Sequence, residues 1–309
     1  MLFASPPYSL EHPPVTQRLR AQLRRTAPVR WIYRWRRNRM ADVFVLSFPK
    51  CGRTWLHVML GKAIALHHGL EVPGVVDLKK LPAQCPGLVR IRFKHDDNPH
   101  FKAPNELVAR KDEYRDRRVV LLVRDLRDTV VSAYFQMTKR ESRYRFDGSL
   151  DAFLHCPRGS IDTMIRFYQI WADQRHVPAG FLLVRYEDLH ADAAGQLQRV
   201  LDFVGLTGVE DQVIRQAVEF ASFQNMRRLE RAGTATTSRL RPGDPSDPES
   251  YKTRRGKVGG YVDYLSPEQV ALLDRRIAQE LPAFYGYGPQ PAAEPVETGP
   301  GTSSAQPVG

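Results

Sequence analysis

The sequence predicts an α/β protein: a single domain with a central parallel β-sheet flanked by helices. Three observations carry this. Short, continuous apolar runs recur, each the length of a strand buried on both faces. Each run is followed by a segment whose apolar residues recur at helical spacing. Strands that alternate with helices favour parallel βαβ units over hairpins.

Taken in order, the first run is Val43–Phe48, ended by Pro49. From Thr54, the residues Trp55, Val58, Met59, Ala63, Ile64 and Leu66 mark a helix, and Gly69 is a stop signal. Residues 49–53 therefore join a strand to a helix N-terminus. RVVLLVRD from Arg118 is a second buried strand, leading into a helix over LRDTVVSAYFQMTKR. FLLVRYEDL from Phe181 is a third, followed by the helical pattern DAAGQLQRVLDFVGL. Ser266, Pro267 and Gln269 form an N-cap, a first-turn proline and a capping-box partner for the helix PEQVALLDRRIAQEL.

The ends and one internal stretch differ in composition. Residues 1–40 form a basic extension. Within it, residues 18–39 carry nine arginines and no acid, with Trp31, Ile32, Tyr33 and Trp35 interleaved. This segment leaves two readings open: an arm for a membrane surface or polyanion, or a solvated helix whose aromatics pack on the domain. Residues 231–255, rich in Gly, Pro, Ser, Thr and charge, predict a long loop of the kind that often serves as a lid. The tail, residues 288–309, has too little apolar content to fold and predicts disorder. The domain itself is expected over 41–287.

Composition narrows the function classes. The chain has 309 residues, 42% of them hydrophobic, enough for a sizeable core. Its net charge of +12 points to anionic partners without choosing among them. Three widely spaced cysteines, Cys51, Cys85 and Cys156, fit neither a zinc site nor a disulfide framework and suggest a reducing compartment. With no signal-peptide pattern and no long apolar run, the expectation is a soluble cytoplasmic protein, with peripheral contact at the inner face of a membrane left open for residues 18–39.

Two segments carry chemistry. VFVLSFPKCGRTWL has the strand–loop–helix form of a phosphate-binding loop, but Lys50 precedes the loop's only glycine, Gly52. An ATP-binding loop reads GxxxxGK[ST]. A helix N-terminus offers unpaired N–H groups and partial positive charge to an anion. Gly52 permits close backbone approach, Lys50 adds a charge, Thr54 a hydroxyl and Trp55 a flat face. In LLVRDLRDTVVSAYF, Arg124 ends a strand and Ser132 lies eight residues on, within the next helix. Arginine suits phosphate through its bidentate fork. Taken alone, the first segment is also compatible with an ordinary strand–turn–helix and the second with a surface ion pair.

Together these segments resemble the cytosolic, PAPS-dependent sulfotransferases. SFPKCGRTWL is similar to that family's 5′-phosphosulfate loop, YPKSGTTW, and LLVRDLRDTVVSAYF to its 3′-phosphate motif. VRYEDL resembles its YEDL strand end, and RRGKVGGY from Arg254 its RKGxxGxW segment. The four occur in the family's order over about residues 42–285. The resemblance implies a P-loop-like sulfotransferase fold and 3′-phosphoadenosine-5′-phosphosulfate (PAPS) as sulfuryl donor, with no metal. It implies that residues 50–55 (Lys50, Cys51, Gly52, Arg53, Thr54, Trp55) cradle the phosphosulfate, with Lys50 at the bridging oxygen. Trp55, Tyr186 and Phe223, with Ser222 beside it, would surround the adenine. Arg124, Ser132, Arg254, Arg255 and Gly256 would hold the 3′-phosphate. In VRIRFKHDDNPHF, His95 occupies the place of the family's general base, with His100 as fallback. The acceptor would be a small molecule, glycan or lipid bearing a hydroxyl or amine; no nucleic acid is implied.

The sequence departs from the pattern in places. The family's frequent lysine two residues before the histidine is Phe93 here, with Lys94 one position later. Cys51 and Arg53 replace a usual serine and threonine. Ala221 lacks the hydroxyl of the family's TSFxxM, and the KxxxTVxxxE dimer motif is missing. A thiol beside a helix N-terminus predicts some reactivity at Cys51. Two other functions use the same features: an ATP-dependent phosphotransferase, disfavoured by the missing GK[ST], and a non-catalytic polyanion- or membrane-binding protein acting through residues 18–39.

Overall fold

The computed structural model describes residues 41–141, 145–233 and 240–287. The arginine-rich segment 18–39 and the tail expected to be disordered lie outside the described residues.

Four strands form one sheet: β1 (Val43–Ser47), β2 (Ile91–Lys94), β3 (Arg118–Val123) and β4 (Gly180–Arg185). Their order is β2-β1-β3-β4 and every pairing is parallel. Val45 sits opposite Phe93 on one side and Val120 on the other, and Val120 opposite Leu182. The two inner strands are buried almost throughout, which is why their sequences are unbroken apolar runs. β2, IRFK, lies at the edge with three half-buried residues, and its pattern is correspondingly mixed.

Helices cover the sheet. The chief ones are α1 (Arg53–His67), α2 (Leu126–Lys139), α3 (Leu150–Leu154), α4 (Ile161–Gln174), α5 (Tyr186–Ala191), α6 (Ala193–Phe203), α7 (Asp211–Phe220), α8 (Phe223–Ala232) and α9 (Pro267–Glu280). Most begin on a side-chain cap. Asp125 accepts from the Arg127 N–H, Asp192 from that of Gly195, and Ser266 closes the expected capping box with Gln269. Helix α1, like α4, α5 and α7, has no side-chain cap. The residue before it is Gly52, at φ 88°, which brings no capping side chain and leaves the first turn facing its loop.

The core lies between sheet and helices, with Trp171, Tyr114, Tyr168, Tyr285, Phe44 and Phe48 its largest fully buried members. A buried polar knot secures the turn after β2. Asp96 accepts from the Tyr114 hydroxyl (2.5 Å) and the Trp171 indole N–H (3.2 Å), and pairs with Lys111 at 2.7 Å. Predicted strands and helices fall within a few residues of those observed. Helices α3, α4, α5, α7 and α8 have no counterpart in the sequence reading, and the residues YEDL, expected to end the third strand, instead open α5. Of the predicted loop 231–255, the first two residues end α8, and the described part from 240 is irregular apart from a single turn of 3-10 helix at Pro248–Ser250.

Candidate active site

Because the strands are parallel, the loops that leave their C-terminal ends meet at one edge of the sheet. There they enclose a cavity of about 460 Å³. Each strand delivers a residue to it: the β1 loop Lys50, the β2 loop His95, the β3 loop Arg124, and the end of β4 Tyr186.

The β1 loop is wound tightly. Lys50 has φ 77° and Gly52 φ 88°, both in the left-handed region. A Cβ on Gly52 would lie 2.6 Å from Tyr186 Cδ2, so only glycine lets the loop pass under that ring. The Lys50 ammonium donates to Gln136 Oε1 at 3.3 Å. Burial, and then the cations Lys252, Arg140, Arg254 and Arg124, push its pKa well below the usual lysine value. So much positive charge around a buried amine is a place for an anion.

Arg124 spans the site. Its Nη1 donates to the Lys50 carbonyl (3.3 Å) and its Nη2 to the Lys257 carbonyl (3.1 Å). Its guanidinium lies 4.2 Å from the Tyr186 ring centre, and its buried Nε has no partner in the protein. Tyr168 fixes its backbone, accepting from the Arg124 N–H (3.0 Å) and donating to the Arg124 carbonyl (2.8 Å). Beside it, Tyr186 meets Trp55 edge-on at 5.9 Å, and His190 fits against both rings.

His95 lines the same cavity. Its Nδ1 lies 3.1 Å from the Ser47 carbonyl oxygen, which can only accept, so Nδ1 carries the proton and Nε2 the lone pair. Burial, then the charge of Arg53, lowers its pKa well below the ordinary histidine value. The His100 ring centre is 5.7 Å away. Burial pushes His100 down to about 4, and its Nδ1 has no partner in the protein. Both rings are therefore neutral at physiological pH. Arg53 lines the cavity as well.

Residues 252–257 close the cavity. Arg254 pairs with Glu249 at 2.9 Å and packs over Phe135 and Tyr264. Gly256, at φ 60°, passes so close to Phe223 that a Cβ there would lie 2.5 Å from its ring. Phe223 is 44% exposed and lines the cavity.

Most of the sequence-predicted site residues thus meet at one cavity: Lys50, Gly52, Arg53, Thr54, Trp55, His95, Arg124, Ser132, Tyr186, Phe223, Arg254, Arg255 and Gly256 all line it. Two residues expected at the site, Cys51 and Ser222, do not line the cavity, and Lys94, which had no assigned role, does not either. The Cys51 side chain, 0% exposed, turns into the core, its sulfur 3.6 Å from the Tyr168 hydroxyl. Burial pushes that thiol up to about 11, opposite to the expected activation. Ser222 instead caps α8, accepting from the Asn225 N–H at 3.4 Å. Lys94 points away, pairing with Glu113 at 3.3 Å. Sequence reasoning missed Gln136, Tyr168, Lys252 and Glu230. Gln136 had a signal, since it follows Ser132 by four residues on one helix face. The others become neighbours only through the fold. Among the described residues, no group of three or more His, Cys, Asp or Glu side chains is placed to hold a metal ion.

A parallel sheet with a cation-lined cavity at its C-terminal edge makes this an α/β domain built to receive an anionic ligand. The sulfotransferase domain model matches residues 40–284, and the chain belongs to the sulfotransferase family. Cytosolic sulfotransferase 10 of Arabidopsis thaliana is 26% identical over 267 residues, covering 78% of each chain. Flavonol 3-sulfotransferase of Flaveria bidentis is 25% identical over 264 residues, covering 78% of this chain and 82% of its own. The fold is shared with mouse sulfotransferase SULT7A1 complexed with PAP (TM-score 0.53, 19% identity, 78% and 84% of the two chains). It is shared too with retinol dehydratase in complex with androsterone and inactive cofactor PAP (TM-score 0.51, 18% identity, 76% and 79%). Among the described residues, no helix is long and apolar enough to cross a membrane.

Proposed function

We propose that the protein moves a sulfuryl group from PAPS to a hydroxyl or amine acceptor, with His95 as general base and Lys50 stabilising the leaving phosphate. The observation that carries this reading is the meeting of Lys50, Arg124 and His95 at one cavity. The residues present suit an anionic nucleotide. The unpartnered Nε of Arg124, the crowded ammonium of Lys50 and the uncapped first turn of α1 all call for negative charge.

When bound, PAPS supplies an activated sulfuryl group on a phosphate leaving group. The chain's own residues do the rest. Arg124 and Ser132, with Arg254, Arg255 and Gly256 from the closing segment, hold the 3′-phosphate. Trp55, Tyr186 and Phe223 form the walls for the adenine. His95 Nε2 takes the acceptor's proton as the nucleophile engages sulfur. Lys50 sets its positive charge where negative charge grows as the sulfur–oxygen bond breaks. Its contact with Gln136 orients it without neutralising it.

The acceptor is a small molecule, glycan or lipid, and the relatives named for flavonols favour the first. Calorimetry with PAP and with Mg–ATP tests the donor: binding of PAP is expected, and preference for Mg–ATP would replace this reading with the phosphotransferase one. Mass spectrometry of extracts incubated with the protein and isotopically labelled PAPS identifies the acceptor.

A further inference from the structure

The segment that closes the cavity carries a physical problem. Residues 252–257, KTRRGK, hold four cations in six positions. They face a cavity already lined by Lys50, Arg53 and Arg124. Like charges at this spacing repel, and a loop with so little apolar content has little packing to oppose the repulsion. Glu249 and Asp263 pair with some of these cations at the rim. Neither grips the loop's backbone at its two ends.

Two buried carboxylates do. Glu230, near the end of α8, is 0% exposed. Its Oε1 accepts from the Lys252 N–H at 2.6 Å. Its Oε2 accepts from the Thr253 N–H at 2.9 Å and the Thr253 hydroxyl at 2.6 Å. Arg140, 3.4 Å from Oε1, also donates to the Ser250 carbonyl and ties the same stretch to α2. At the other end Asp128 of α2, 3% exposed, accepts from the Gly259 N–H (2.9 Å) and the Tyr261 N–H (3.0 Å). The same carboxylate lies 3.3 Å from Arg124 Nη2. A carboxylate that accepts several N–H bonds while fully buried is strongly held and strongly holding.

We propose that Glu230 and Asp128 are positioning residues, a two-ended carboxylate clasp that holds residues 252–261 over the cavity before nucleotide arrives. The inference rests on the donor reading above. Its consequence is that the 3′-phosphate side of the site is preassembled. Donor affinity then escapes the cost of ordering the loop at each binding event. Both carboxylates hold the loop through its backbone and neither is bonded to Lys50 or His95, so at saturating donor, which would itself keep the loop in place, the transfer step keeps its rate.

Glu230→Gln is the direct test, because an amide accepts at only one of its two ends and sets an N–H against the loop's N–H groups. Thr253→Val, which removes a single bond and keeps the carboxylate, serves if the first variant fails to fold. Two readouts are paired. Limited trypsin digestion, without nucleotide, probes cleavage after Arg254, Arg255 and Lys257. Calorimetry with PAP, with steady-state kinetics, probes the donor. Expected for Glu230→Gln are faster cleavage at these sites, PAP binding weakened about 10–100-fold, donor KM raised to match, and kcat at saturating donor nearly unchanged. For Thr253→Val the same pattern is expected at about 2–10-fold. Unchanged cleavage overturns the clasp. So does a lowered Tm with wild-type PAP affinity, or a loss confined to kcat. If the wild-type protein binds no PAP, the donor reading fails by itself, and the trypsin comparison still decides whether the clasp exists.

Discussion

His95 Nδ1 sits 3.1 Å from the backbone oxygen of Ser47, the last residue of the first strand. The sheet itself therefore sets the tautomer of the proposed base. A carbonyl cannot donate, so the proton stays on Nδ1 and the reactive lone pair on Nε2. Burial keeps the ring neutral, since its pKa lies well below the ordinary value.

The first prediction concerns this ring. His95→Ala should cut turnover by about 10²–10⁴ with PAP affinity nearly intact. In the wild-type protein a neutral His95 is the active form. Because its pKa is depressed, kcat/KM should hold as pH falls past the usual histidine range and decline only below it. Stability follows the same sign. The unfolded chain binds the proton that folded His95 and His100 refuse, so Tm should drop as pH falls from about 6.5. For His100 the loss should run on toward about 4. A pH–rate profile and a pH series of melting curves measure both.

Lys50→Ala should lower kcat by about 10²–10³, the range for losing one donor aimed at developing charge. A rise in KM alone would mean that Lys50 serves ground-state binding. A second measurement reads its protonation. Burial and neighbouring cations depress this amine, and an anionic nucleotide reverses the effect. PAP binding should therefore take up protons in the window between the depressed value and the usual lysine one, and affinity should fall as pH rises through that window. Calorimetry in buffers of different ionisation enthalpy measures the uptake.

Gly52→Ala combines a left-handed backbone with a Cβ placed 2.6 Å from Tyr186. A cost of about 1–3 kcal/mol in stability is expected. PAP binding should weaken as well, because the Tyr186 ring must shift. Chemical denaturation and calorimetry on the same variant check the pair of effects.

The thiols should react unequally. Cys51 and Cys85 are buried and Cys156 is half-buried. Titration of the folded protein with a thiol reagent should label Cys156 first and leave Cys51 unmodified until unfolding. Mass mapping of the labelled peptides tests this, and rapid labelling of Cys51 would show that the β1 loop opens.

The sequence was most legible where the physics is local. β1 and β3 could be read because strands inside a parallel sheet need unbroken apolar runs, β4 because FLLV is apolar even at the edge, and α9 because Ser266 and Gln269 write their capping box into four residues. β2 is missing from the strands read as apolar runs because, at an edge of the sheet, IRFK alternates apolar and cationic residues instead of running apolar. The site divides the same way. Lys50, Gly52 and Arg124 lie in contiguous motifs. Tyr168 and Glu230 act on residues 44 and 22 or more positions away, and no spacing rule reaches across such gaps. Cys51 was misread for a related reason. Proximity to a helix N-terminus argues for a lowered pKa, but the direction of the side chain decides, and the core side won.

The parallel order β2-β1-β3-β4 divides the molecule into a chemical rim and a blank one. Lys50, His95, Arg124 and Tyr186 all leave the strands at the same end, so the turns that re-enter the sheet at the other end carry none of them. The short return ahead of β4, exposed at His176 and Ala179, is thus a place where length and composition can drift, or a fused module be grafted, without disturbing the distances that the chemistry needs, whereas the stretch ahead of β2 is tied to the core by Val75, Val76, Leu78 and Leu81. The architecture gives this protein a handle as well as a working edge.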